Sequence, residues 1–131
     1  MAQFLISTVV HFLVDNRNYS TGLTEAQAKA LLFNDLQIFV NAVNEETQGI
    51  ELQQQQFDAL VSFAYNIGIG DNGFKGSSLL ANIKNGSAMT KDNFTAWSMC
   101  NGSRLLGLWR RRVDEWQMFT QGDYTRDYPN W

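Results

Sequence analysis

Cysteine, histidine and proline each occur once, as Cys100, His11 and Pro129. A single thiol excludes an internal disulfide. One thiol and one imidazole fall short of the nitrogen and sulfur ligands that a zinc site needs, so neither a metal nor a cofactor is expected. Cys100 has no histidine beside it to activate it and reads as a small apolar filler. Charge is also sparse: 10 Lys and Arg stand against 13 Asp and Glu, a net −3. Neutralising a phosphate backbone needs a basic face, so nucleic acid is not the expected partner. No apolar run reaches the roughly 20 residues of a membrane span. The candidate run, Phe4–Val14, is broken by Ser7, Thr8 and His11. It also lacks the basic flank and small-residue cleavage site of a secretory signal.

What is present suits a packed domain. Of 131 residues, 44% are hydrophobic and 13% aromatic, enough to build one core without staples. The first segment is rich in Val, Ile and Thr, and "DNRN" over 15–18 reads as a turn, so residues 4–21 are expected as a hairpin, or a strand and a loop, with an N-terminal helix as the runner-up. Thr24 and Gln27 form a capping-box pattern. Ala28, Leu32, Leu36, Phe39 and Val43 then recur at steps of three and four, one face of a helix that fades near Gly49. Phe57, Leu60, Val61, Ala64 and Ile67 mark a second helix that stops at Gly68 and Gly70. A short third helix is expected from Ser77 or Ser78 to Gly86. A fourth is expected from Thr90 to Gly102. A fifth runs from about Ser103 to Gly122, with Leu105, Trp109, Val113 and Trp116 as its stripe. The fold class is mainly α (α+β): a helical lobe with a short β or irregular N-terminal segment. The chain is read as one domain over 1–131, divided into 1–22, 23–122 and a tail, 123–131.

Three blocks, "GLTEAQAKALLFNDL", "LQQQQFDALVSFAYNIGIG…GSSLLANIKNG" and "FTAWSMCNGSRLLGLWRRRVDEWQMFTQG", closely resemble the phage endolysin-type lysozymes, which are muramidases. The motif positions are Gln56, Asp58, Ala59, Leu60, Val61, Ser62, Phe63, Asn66 and Gly68, then Trp97, Gly102, Gly107, Leu108, Arg111, Arg112 and Glu115. The resemblance covers about residues 22–122. It implies the larger helical lobe of the lysozyme fold, one wall of a glycan cleft, and peptidoglycan as the substrate class. It places Tyr65 and Asn66 at the cleft end of the second helix. Read from spacing alone, Asn66 is first a helix-capping residue beside Gly68; with the resemblance the two roles stand level, and both can hold together.

Glycoside hydrolysis needs a positioned acid and a second group that stabilises charge or activates water. In the family these lie ahead of the helical lobe: a glutamate closing a first helix, an acid or cysteine in a hairpin, then a threonine. That pattern is missing here. The substitute candidates are His11, Asp15 and Glu25. His11 reads first as one face of a strand and Asp15 first as a turn residue. Glu25 lies in a first helical turn, where the helix dipole favours the ionised form rather than a general acid.

Three readings follow. The chain is a lysozyme-derived, catalytically inactive phage or prophage protein that binds peptidoglycan or a protein partner such as a host-defence component. Alternatively it is an active muramidase with displaced carboxylates, or a fragment of a longer endolysin. The expected location is the cytoplasm of the host bacterium, or the periplasm and cell wall for an endolysin. Loss of half a fold makes a homodimer an expectation. Of Arg110–Arg112, one or two are read as forming ion pairs inside the lobe, with Glu115 as a partner. Trp97, Trp109 and Trp116 are read as core. Tyr124, Tyr128 and Trp131 either pack back on the body or wait for a partner.

Overall fold

The computed structural model describes residues 25–125, apart from the side chains of Glu25, Ala28 and Lys29. The expected hairpin over 4–21, the Thr24 cap, and Tyr128 and Trp131 lie outside the described residues. The order is α1 (Glu25–Glu46), α2 (Gln54–Ile67), a 3-10 turn (Phe74–Gly76), α3 (Ser78–Asn85), α4 (Lys91–Thr95), β1 (Met99–Cys100), β2 (Ser103–Arg104) and α5 (Leu106–Gln121). The lobe is mainly helical, as its periodicity predicts.

The second helix is more central than its stripe suggests. Every residue from Phe57 to Ala64 is buried, so α2 is wrapped rather than one-sided. α5 packs along it most extensively and α1 covers another side. Phe63 sits at the hub. Its ring meets Phe74, Phe94 and Trp97 edge-on, with centroids 6.5, 5.7 and 6.1 Å away. Such edge contacts suit the ring quadrupole. Trp109 and Val113 are buried, and Trp97 and Trp116 pack against the core half-buried, in line with the core reading of the tryptophans.

The ends of the helices follow local chemistry. Gln53 N–H donates to Gln56 Oε1 at 2.8 Å, closing the first turn of α2. At its other end Gly68 takes φ +92°, and its N–H reaches Ala64 O at 2.8 Å. The following loop is tight. A Cβ on Gly73 would stand 2.5 Å from Gly68 O, and one on Gly76 only 1.8 Å from Asp71 O. That compression carries Phe74 into the core. Ser77 Oγ accepts from Leu80 N–H at 3.1 Å and caps α3.

Three expectations need correcting. The fourth helix does not run to Gly102; it stops at Thr95. Asn101 and Gly102 both take positive φ, 52° and 83°. This is the Asn-Gly turn that closes a two-residue hairpin, and it pairs Met99 with Arg104 and Cys100 with Ser103. Among the described residues this hairpin is the only β-structure. Cys100 lies on it, exposed, so it is not a core filler: a two-stranded ribbon with no layer behind it buries nothing. Leu105 is 43% exposed at the start of α5 and lies outside that helix's buried face.

Candidate functional site

The C-terminal end of α2 meets the middle of α5 through polar groups. Glu115 and Arg112 are each 1% exposed. Arg112 Nε stands 2.8 Å from Glu115 Oε1, an ion pair although off hydrogen-bond alignment. Its NH2 group donates to Oε2 at 3.1 Å. Ser62 Oγ donates to the same Oε2 at 2.5 Å. The Arg112 guanidinium also lies 5.7 Å from the centre of the Phe63 ring, a cation–π contact. Burial pushes the Glu115 carboxyl above its ordinary range, while Arg112, Ser62 and Asn66 oppose the shift by favouring the charged form.

Asn66 carries this buried pair to the surface. Its Nδ2 donates to Ser62 O at 2.8 Å and to Glu115 Oε2 at 3.3 Å. The first bond turns back to a carbonyl four residues earlier, inside the helix. The helix end itself is closed by Gly68 N–H on Ala64 O, so Asn66 does not cap it. With the amide nitrogen held inward, Oδ1 faces out and accepts from Arg111 NH1 at 3.0 Å. Arg111 is exposed. The Tyr65 ring meets Phe39 of α1 edge-on at 5.4 Å. Asp58, one turn before Ser62, accepts from Gln54 Nε2 at 2.8 Å and from the Tyr124 hydroxyl. So the first aromatic of the tail packs back on the body.

His11 and Asp15 lie outside the described residues, as does the Glu25 side chain; the Glu25 backbone begins α1. Arg111 was not singled out as a site residue. Its signal was the spacing to Glu115, four residues on, which stacks both on one face of a helix. Among the described residues no group of three or more His, Cys, Asp or Glu could hold a metal, and no helix is long and apolar enough to cross a membrane. An open groove of about 1050 Å³ lies at the other end of α2, lined by Asn44, Gln48, Ile50, Glu51 and Gln56 among others. It does not include Asn66.

Comparison with known proteins places this geometry. The family model described as "Phage lysozyme" matches residues 8–115. The endolysin of Bacillus phage PZA is 36% identical over 124 residues, covering 89% of this chain and 47% of the relative. The endolysin of Bacillus phage B103 is 38% identical over 102 residues, covering 77% of this chain and 38% of the relative. The chain thus spans less than half the length of either relative. Among solved structures, the muramidase domain of SpmX from Asticaccaulis excentricus superposes with a TM-score of 0.67 at 38% identity, covering 76% of this chain and 69% of that one. A family match running through α1, α2 and most of α5, over a helical lobe that superposes on a muramidase domain, shows that the chain belongs to the phage lysozyme family.

Proposed function

We propose that this chain, a single lysozyme-like domain, binds the glycan of peptidoglycan through the face around Asn66 and Arg111 without hydrolysing it, and so works at the cell wall. One observation carries the reading: the buried carboxylates among the described residues are engaged internally. Asp58 is held by Gln54 and Tyr124, and Glu115 by Arg112, Ser62 and Asn66. Asp114 is 2% exposed and also makes contacts. A general acid needs a raised pKa and access to the glycosidic oxygen. Glu115 has the first, but its burial denies it the second.

One observation favours a second reading, an active muramidase. The family match begins at residue 8 and so takes in His11, Asp15 and Glu25. Clearing of a peptidoglycan suspension separates the two. The expected result is protein that sediments with the wall and leaves its turbidity unchanged. Clearing that disappears in Asp15→Asn or Glu25→Gln would establish the muramidase instead. Failure to sediment would leave a protein partner or a second copy of the chain as the ligand, which exposed Leu31, Phe33 and Ile38 of α1 would suit.

A further inference from the structure

Asparagine precedes glycine three times, as Asn72–Gly73, Asn85–Gly86 and Asn101–Gly102. Such a pair can modify itself. The glycine nitrogen closes a five-membered ring when it bonds to the asparagine Cγ, and glycine has no side chain to shield that nitrogen. All three asparagines are exposed. The fold separates them by what their glycine nitrogens are doing. Gly73 is buried, and its N–H donates to Gly70 O at 2.9 Å. Gly86 closes α3, its N–H donating to Asn82 O and, at 3.2 Å, to Ile83 O. Gly102 differs. In the turn between the paired Cys100 and Ser103 the ladder belongs to those two residues. The Gly102 N–H finds no acceptor among the described residues, and the Asn101 amide makes no hydrogen bond there either. Gly102 is exposed, and a Cβ on it would meet nothing within 4 Å.

We propose that Asn101–Gly102 is a self-modification site, where the fold leaves the glycine nitrogen free to deamidate the hairpin tip. Hydroxide takes the Gly102 amide proton, and the nitrogen bonds to Asn101 Cγ. The Cγ–Nδ2 bond breaks, and ammonia leaves with a proton from water, which restores the hydroxide. One water then opens the cyclic imide. Attack at Cγ breaks its bond to the Gly102 nitrogen and leaves aspartate. Attack at the Asn101 main-chain carbonyl breaks that peptide bond and leaves isoaspartate, with the chain routed through the side chain. The balance is one amide and one water giving one carboxylic acid and one ammonia. Either product adds one negative charge to the net −3 of the chain. In isoaspartate the backbone is also one atom longer, so the pairing of Cys100 with Ser103 loses its register.

Ageing the full chain in mildly alkaline buffer, followed by tryptic mapping with mass spectrometry, tests it. Trypsin places the three asparagines in separate peptides, residues 30–75, 85–91 and 92–104, and fragment spectra assign each new acid to its residue. In the folded chain Asn101 should convert at least about five-fold faster than Asn72 or Asn85, the rate equivalent of the backbone hydrogen bond that each of those must first break. In urea all three glycine nitrogens are released, and the rates should converge. Conversion at Asn101 no faster than at the other two in the folded chain overturns the proposal. So does a gap that persists in urea, because the fold would then not be its cause. A brief digestion of the aged, still folded chain reads the loss of register. It should cut after Arg104 sooner than Asn101→Asp, which gains the charge but keeps the backbone length. Equal cutting overturns that consequence.

Discussion

At the residue scale the Arg112–Glu115 pair decides the most. Removing one partner of a buried pair strands the other without solvent or counter-charge. Arg112→Met is expected to cost about 3–5 kcal/mol in denaturant unfolding. The loss should be larger at pH 8 than at pH 5, since acid lets the stranded Glu115 carboxyl take up a proton. In the intact protein burial already raises that carboxyl above its ordinary 4.5. The folded state therefore binds the proton more tightly than the unfolded state. Stability from this group is complete below 4.5 and is lost as pH climbs through the raised value. Melting temperatures across that window should show the slope in the parent and a flatter line in Glu115→Gln. A slope unchanged by that substitution would place the titration elsewhere. Little of this was readable beforehand. Glu115 and the arginines stand out in the sequence, yet only the approach of α2 reveals that Arg112 turns inward while Arg111, one residue earlier, stays outside.

At the scale of elements the loop after α2 makes the sharpest claim. Gly76 has no room for a Cβ because the carbonyl of Asp71 stands in its place, whereas Gly70 faces nothing within 4 Å. Gly76→Ala should cost about 2 kcal/mol or more, and Gly70→Ala should stay within about 0.5 kcal/mol. Equal melting temperatures for the two would show the loop to be looser than its geometry. Ser77→Ala removes the cap of α3 and should cost about 1 kcal/mol in the same assay. Glycine signals marked the stops of α2 and α3 correctly, and serine the start of α3. The glycine signal failed at residues 96–102, where Gly102 was read as a helix stop and the Asn101–Gly102 pair instead closes a hairpin, because positive φ at two consecutive residues is incompatible with helix and suits a hairpin.

At the scale of the molecule, packing around Phe63 holds the lobe together. Phe63→Ala should cost about 3–5 kcal/mol, seen as an earlier urea midpoint with an unchanged slope. The helical lobe was legible because its periodic stripes are long. The centrality of α2 was not, since Asp58 and Ser62 look like solvent-facing residues until Tyr124 and Glu115 are seen to satisfy them. The candidate site was legible by half: Asn66 was named, while its partner Arg111 was hidden in a run of three arginines.

The ties that make α2 a buried helix span long stretches of chain. Ser62 reaches Glu115 across 53 residues, and Asp58 reaches Tyr124 across 66. During synthesis α2 therefore leaves the ribosome with its polar groups unclaimed. It must wait for α5, and then for Tyr124, before its core closes. A chain stalled after the hairpin would expose the most apolar helix of the lobe to the cytosol, a natural ligand for chaperones.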